Sequence, residues 1–358
     1  MRTALLVSNV RLSEVGGRAE KFRSHERLFA EHGWNLEVAY VPEPDAAFPL
    51  HLARAFRKAR QTDPDVVIAV SNPFHLQFVG WALARATGAK WVAELRDPIL
   101  NNPDREPGAL VTRLAAVAER FTLRHADAVV WFDGIQIPDD YFDREYPDHA
   151  GKMTKLPYIG YDEPAFDIEP REFDEWTLSY AGAFYEGWIE PYAVIEGVAE
   201  YADRTGDRAF RVRFYGDWSD DYQQAVEDHG VGDIVSAHGY VPHDEVVPII
   251  AGSDAVLYVG GSDPRNARNL STKLYDYIGA RVPILAVCDP EFRVAEFVRE
   301  YGLGVVAEER PDAVADALAR LREGYEYEPD DRALGFTRAR AIDAYADVLD
   351  GLLGEGSR

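Results

Sequence analysis

The stretch VVIAVSNPFHLQFVGWALARATGAKWVAE, from Val66 to Glu94, decides the fold. It opens with five apolar, mostly β-branched residues, Val66–Val70, and closes with a second run, Lys90–Glu94. Neither run alternates apolar with polar positions, so both read as strands buried on two faces. Between them, Pro73–Thr87 carries apolar residues at helical spacing, and Gly88 stands just past its end as a C-cap does. Strand, helix, strand in this order is a βαβ unit, and such units build parallel sheets.

Working outward, the same rhythm fills the first half of the chain. Strand-like runs fall at Thr3–Ser8, Leu36–Val41 and Ala128–Phe132, with helical stretches at 18–32, 50–60 and 108–125. Residues 157–176 break the pattern with Pro, Gly and acid and read as an interdomain connection. The second half resumes it. Strands are expected at 177–181, 210–215, 234–237, 255–259, 283–287 and 304–306, and helices at 191–204, 222–229, 243–251, 271–280, 291–301 and 311–322. A last helix, Thr337–Leu353, carries an apolar stripe of Ala341, Tyr345, Val348 and Leu352 but no strand to follow it. It needs another surface to cover that stripe.

Composition bounds the function. The 358 residues suit two domains, and 47% hydrophobic content supports real cores. A net charge of -24 argues against nucleic-acid binding, which needs a basic face. Only six basic residues are lysine (Lys21, Lys58, Lys90, Lys152, Lys155 and Lys273), and excess acid with scarce lysine points to a salt-loving cytoplasm. No run approaches the roughly 20 apolar residues of a membrane span. No signal-peptide layout opens the chain, and no basic amphipathic helix able to dock it on a membrane is visible. The single cysteine, Cys288, ends an apolar run and reads as a buried structural thiol.

Three segments carry candidate chemistry. After the first strand, Gly16-Gly17 opens a helix; the loop is either a backbone cradle for an anion or a plain turn. It lacks the Gly-x-Gly-x-x-Gly of dinucleotide enzymes. At the end of the strand Lys90–Glu94 stand Glu94, Arg96 and Asp97, either a ligand site at a strand's carboxyl end or an ion pair closing a turn. The most specific is Arg265-Asn-Ala-Arg-Asn-Leu-Ser271-Thr-Lys273-Leu-Tyr-Asp276. With Ser271 as N-cap, the helix start, Lys273, Arg265 and Arg268 would converge on an anion, and Asp276 would lie one turn on for ribose hydroxyls. The plain alternative is a capped helix with a surface pair. The aromatic residues Tyr180, Phe184, Tyr185, Trp188 and Tyr192 line a ligand cleft or fill a core. Asp63-Pro-Asp65 precedes a strand and reads as a turn, not a metal site. The nine histidines show no metal-ligand spacing, and no Walker loop or Gly-x-Ser-x-Gly is present.

The ordered set resembles family 4 glycosyltransferases of the GT-B fold. Ser271-Thr-Lys-Leu-Tyr-Asp-Tyr-Ile-Gly-Ala-Arg-Val-Pro-Ile-Leu is similar to that family's S-K-x-x-E-Y-x-x-x-G-x-P-V donor motif. Arg96-Asp97-Pro98, Gly16-Gly17, Gly160-Tyr161-Asp162 with Phe166, Gly239-Tyr-Val-Pro242 and Ala251-Gly-Ser-Asp-Ala255 resemble its other elements in the right order. The resemblance implies an α/β chain of two Rossmann-like parallel-sheet domains facing a cleft: 1–165 on the acceptor side and 166–335 on the nucleotide-sugar side. Residues 336–358 would return as a C-terminal helix to the first domain. It implies a nucleoside diphosphate-sugar as substrate, no cofactor, no required metal, and retention at the anomeric carbon. Lys273 would meet the diphosphate, Asp276 the ribose, and Gly17, with Gly16 and Gly182, would admit the phosphate and sugar. Glu94, Arg96 and Asp97 would face the transferred sugar or the acceptor, which would be a glycan, a lipid-linked glycan or a small molecule. If transfer inverts, Asp97 is the candidate base. Where the family often has Glu, Arg268 stands; the ribose acid is Asp; and no cation follows Gly182, only Ala183 and then Trp188. A sugar-nucleotide 2-epimerase and a non-catalytic nucleotide-binding partner are the rival readings. A cytoplasmic location, at most peripheral to the inner membrane face, completes the expectation.

Overall fold

The computed structural model describes residues 1–13, 17–71, 73–97, 99, 108–138 and 140–354. It forms two compact units. The first comprises Met1–Ile159 together with Arg338–Arg358, and the second is Gly160–Thr337.

In the first unit the elements run β1 (Arg2–Ser8), α1 (Gly17–Glu31), β2 (Trp34–Tyr40), α2 (Phe48–Thr62), β3 (Val66–Val70), α3 (His75–Thr87), β4 (Lys90–Leu95), α4 (Ala109–His125), β5 (Ala128–Phe132), α5 (Tyr141–Glu145) and β6 (Met153–Leu156). Among the described residues they form a parallel sheet of order β2-β1-β3-β4-β5-β6. All five residues of β3 and all five of β5 are buried, as their unbroken apolar character requires. Gly88 ends α3 at φ 80°, the left-handed C-cap expected of it. Asp63 does the same for α2 at φ 43°, and Asp65 accepts a hydrogen bond from Thr3 N at 2.7 Å, so Asp63-Pro-Asp65 is a structural turn.

The second unit runs β7 (Trp176–Ala181), α6 (Tyr192–Thr205), β8 (Phe210–Tyr215), α7 (Asp220–Asp228), β9 (Val235–Ala237), α8 (His243–Gly252), β10 (Ala255–Gly261), α9 (Lys273–Ala280), β11 (Ile284–Cys288), α10 (Arg293–Glu300), β12 (Gly304–Ala307), α11 (Pro311–Arg322) and α12 (Asp331–Leu334). Its parallel sheet has the order β12-β11-β10-β7-β8-β9, the doubly wound dinucleotide-fold arrangement. Cys288 is buried in β11, and burial pushes its thiol up to about 12, which suits an inert structural residue. The first unit closes at Ile159, ahead of the expected junction, because the stretch after it packs on the second unit. Phe166 meets Tyr161 edge-on at 5.7 Å, and its ring lies where a Cβ on Gly279 of α9 would stand.

The final helix, α13 (Arg338–Leu353), belongs to the first unit. Its buried stripe is Ala341, Ile342, Tyr345, Ala346 and Leu349. Val348 and Leu352, expected in that stripe, lie at its half-buried margin. Tyr345 packs on Phe29 and Phe132, while Asp350 accepts from Trp34 Nε1 at 2.7 Å and pairs with Arg2 at 2.8 Å. The stripe is thus covered by α1, β5 and β6, and the helix is part of the first unit.

Candidate functional site

In an open parallel sheet, ligands bind at the carboxyl ends of strands where the strand order reverses. In the second unit that point lies between β7 and β10. Their pairing covers only Leu178↔Ala255 and Ser179↔Val256 and then stops. Side chains from α9 occupy the parting. Tyr277 is buried there and donates its hydroxyl to Leu257 O at 3.0 Å.

Lys273, the first residue of α9, reaches the end of β7. Its Nζ donates to the Tyr180 hydroxyl at 2.8 Å and lies 4.4 Å from the centre of that ring. Tyr180 in turn donates to Ala183 O at 2.8 Å. The ammonium stands directly against Gly182, whose φ is +146°. A Cβ at Gly182 would fall 2.1 Å from Nζ, so a glycine there is what makes room for the cation. Among the described residues no carboxylate pairs with Lys273. Burial without a counter-charge lowers its pKa to about 8.

Asp276 lies one turn on but does not pair with Lys273. Its carboxylate faces His243, the first residue of α8, at 3.4 Å. The simple surface pair foreseen for these two residues is therefore absent, and each points to a different neighbour. The helix also starts later than expected. Thr272 is the N-cap, in helical conformation and without a side-chain cap bond, while Ser271 Oγ accepts from Lys273 N at 3.4 Å. Ser271 caps from one residue outside because residues 272–273 already turn helically.

The two arginines diverge. Arg265 makes a bidentate pair with Asp263, at 2.9 and 2.7 Å, and stacks over Trp188 at 4.3 Å. Arg268 is exposed. Neither joins Lys273 in one cluster, contrary to the expected convergence: Arg265 is committed to a neighbour two residues away. Tyr180 and Phe184 stack at 4.6 Å, and Phe184 packs on Phe214 and Trp218, so these aromatics are core. Trp188 instead serves as the platform under Arg265.

In the first unit, β4 carries the second candidate group. Glu94 is 1% exposed, lies 3.4 Å from Arg96 Nε, and accepts from the Tyr345 hydroxyl at 3.3 Å. Its carboxylate is enclosed by these partners, which corrects the expectation that it faces a sugar: the side chain points into the face that α13 covers. Arg96 is half-buried over the Phe22 ring at 4.8 Å, and Ser71 Oγ accepts from its backbone N–H at 2.9 Å. Nearby His25 is buried, and burial together with the charge of Lys21 holds its pKa well below the ordinary value, leaving it neutral. Asp97 follows Arg96 at the strand's carboxyl end. Gly17 begins α1, whereas Gly16 and Pro98 lie outside the described residues.

His243 and Tyr180 were not singled out as a working pair with Asp276 and Lys273. His243 follows directly on Gly239-Tyr-Val-Pro242, a quoted family element, and that adjacency was the available signal. Tyr180 offered none, because its partner lies 93 positions away.

Comparison with known proteins agrees with the reading from motifs. Residues 12–131 match the model of the glycosyl transferase 4-like domain. No curated protein matches the chain. Solved structures share its fold over nearly the whole length. Anabaena HepE in complex with UDP-glucose has a TM-score of 0.63 at 14% identity, covering 99% of this chain and 98% of that one. Sucrose-phosphate synthase from Thermosynechococcus elongatus gives 0.62 at 14%, covering 98% and 95%. A putative UDP-N-acetylglucosamine 2-epimerase from Listeria monocytogenes gives 0.61 at 11%, covering 99% and 98%. The chain therefore has the GT-B fold, and its residues 12–131 match the glycosyl transferase 4-like domain.

Proposed function

We propose that this protein is a glycosyltransferase that takes a sugar from a nucleoside diphosphate-sugar, bound by the second unit, and passes it to an acceptor met by the first. One observation carries the reading: a lysine ammonium that no carboxylate among the described residues pairs with, held by Tyr180 against Gly182 at the switch point of the second sheet. A buried cation lacking a counter-charge is costly until an anion arrives. A diphosphate supplies that anion and gains charge as the glycosidic bond breaks, so Lys273 would stabilise the leaving group. Asp276, oriented by His243, would accept from the ribose hydroxyls. Arg265 and Arg268 would lie outside this contact. The HepE complex with UDP-glucose supports a donor of this class.

In a retaining transfer the leaving phosphate takes the acceptor proton, and no protein base is required. In an inverting one Asp97 would take it. The acceptor is a glycan, free or lipid-linked, or a small molecule. The epimerase among the structural neighbours favours a second reading, conversion of a nucleotide-sugar with no acceptor.

Calorimetric titration with UDP, GDP and their sugars tests the site. Lys273→Ala should weaken binding of the preferred nucleotide by at least about tenfold, the scale of one charge-assisted contact, and Asp276→Ala should weaken nucleosides and nucleotides alike. Undiminished binding by both variants would end the assignment. Conversion of the sugar without an acceptor would make the protein an epimerase.

A further inference from the structure

Along β8, Phe210, Val212 and Phe214 enter the core, so Arg211, Arg213 and Tyr215 share the opposite face. Arg211 pairs with Glu175 at 2.7 Å. Arg213 has no carboxylate partner among the described residues. Its guanidinium stands 5.1 Å from the centre of the Phe173 ring, on the segment ahead of β7, and that of Arg171 stands 5.4 Å from the same ring. The backbone N–H of Arg171 donates to Pro248 O of α8 at 2.9 Å, which pins the segment there.

Beside these arginines, Tyr215 closes β8 and stacks on His238, which follows β9, with ring centres 4.8 Å apart. Ser236 Oγ lies 2.9 Å from His238 Nε2 and sets that ring. Tyr215 is only 5% exposed, yet its hydroxyl has no hydrogen-bond partner among the described residues. Arg213 Nε is likewise buried and unpartnered. Burial raises the pKa of the Tyr215 phenol and lowers that of His238. The charges acting on both are those of Arg213 and Arg171, with no carboxylate among them. Glu172 and Asp174, exposed on either side of Phe173 in the chain, form no ion pair with either arginine.

Two guanidiniums, a phenol and a neutral imidazole make a cluster rich in donors. Acidic residues outnumber basic ones 62 to 38, so two neighbouring arginines that no carboxylate answers call for an anion from outside. The net charge of -24 repels extended polyanions, which disfavours nucleic acid or an acidic peptide and favours a small ligand. Guanidinium forks match the oxygens of phosphate.

We propose that Arg171, Arg213 and Tyr215, with His238, form a site for the phosphate group of a small phosphorylated molecule. Two arginines supply two charges, which favours a phosphate dianion over a carboxylate. The site shares no residue with the donor site proposed above and does not rest on it. The two adjoin only through the main chain, where Gly182 N donates to Tyr215 O at 2.8 Å. If the arginines served merely to clamp Phe173 to the sheet, phosphate would not bind.

Calorimetric titration of the full chain with inorganic phosphate, at pH 8 and constant ionic strength, tests the site. Lys273→Ala is the background throughout, so that the cation of the donor site does not contribute. Phosphate should bind this chain. Adding Arg213→Met or Arg171→Met should weaken binding at least about tenfold, the scale of one hydrogen bond to a charged group. Tyr215→Phe, which removes a hydroxyl and spares the contacts to Phe173, should do the same. Acetate should bind at least about tenfold more weakly than phosphate. Circular dichroism would verify the fold of each variant. Absence of phosphate binding in the Lys273→Ala chain would overturn the proposal. So would binding undiminished by Arg213→Met and Tyr215→Phe, or acetate binding as tightly as phosphate.

Discussion

The ammonium of Lys273 occupies the space that a side chain on residue 182 would fill. One residue type therefore permits the other, across 91 positions of sequence. Gly182→Ala should push the flexible end of Lys273 away and also strain the backbone, whose φ of +146° favours glycine. Nucleotide affinity should fall by at least about tenfold, as for loss of the cation itself. Titration of the variant, with its melting temperature as control, checks this.

A pKa near 8 for Lys273 sets a pH window. Its unfolded value is the ordinary 10.5, so between about 8 and 10.5 the unfolded chain holds a proton that the folded chain has lost. Stability should accordingly gain from this group as pH rises through that window. Phosphate affinity should move the other way, falling as pH passes 8 and the ammonium discharges. Binding near pH 8 should take up a proton, visible as buffer-dependent heat. Lys273→Met should lose both trends, and a flat affinity profile in the unaltered protein would contradict the assignment.

Tyr345 ties the last helix to Glu94. Tyr345→Phe removes a donor to a buried carboxylate and should cost about 1–3 kcal/mol. Tyr345→Ala also empties space beside Phe29 and Phe132 and should cost about 3–5 kcal/mol. Urea unfolding followed by circular dichroism would measure both.

The acidic surface predicts a salt response. At about 1 M salt the Debye length is roughly 3 Å, and repulsion among the 62 carboxylates is screened. The melting temperature should rise from low to molar potassium chloride. A decrease would refute the salt-adapted reading.

Much of the fold was legible because a buried parallel strand has no polar face. Val66–Val70 and Ala128–Phe132 form strands at the bounds read from sequence. β6 escaped notice for the opposite reason: Met153-Thr-Lys-Leu156 lies at the sheet edge, with Lys155 exposed and only Leu156 buried. The candidate site was half legible. Lys273 and Asp276 stand out by motif and spacing, and His243 adjoins a quoted element, but Tyr180 meets Lys273 only through the strand order, which no local pattern encodes. Glu94 misled because the carboxyl end of a strand reads the same whether open or roofed, and its roof is made by residues some 250 positions away.

The return of α13 to the first unit fixes an order of birth. Gly160–Thr337 is one uninterrupted stretch whose ends are already joined, Tyr161 N donating to Phe336 O at 3.1 Å. That unit can close as soon as it clears the ribosome. The first unit, though made earlier, must wait for Ile342, Tyr345 and Leu349 to complete its core. The half synthesised first is the half finished last, and a ribosome that stalls before completing Arg338–Leu353 would release a chain whose second unit is whole and whose first is not.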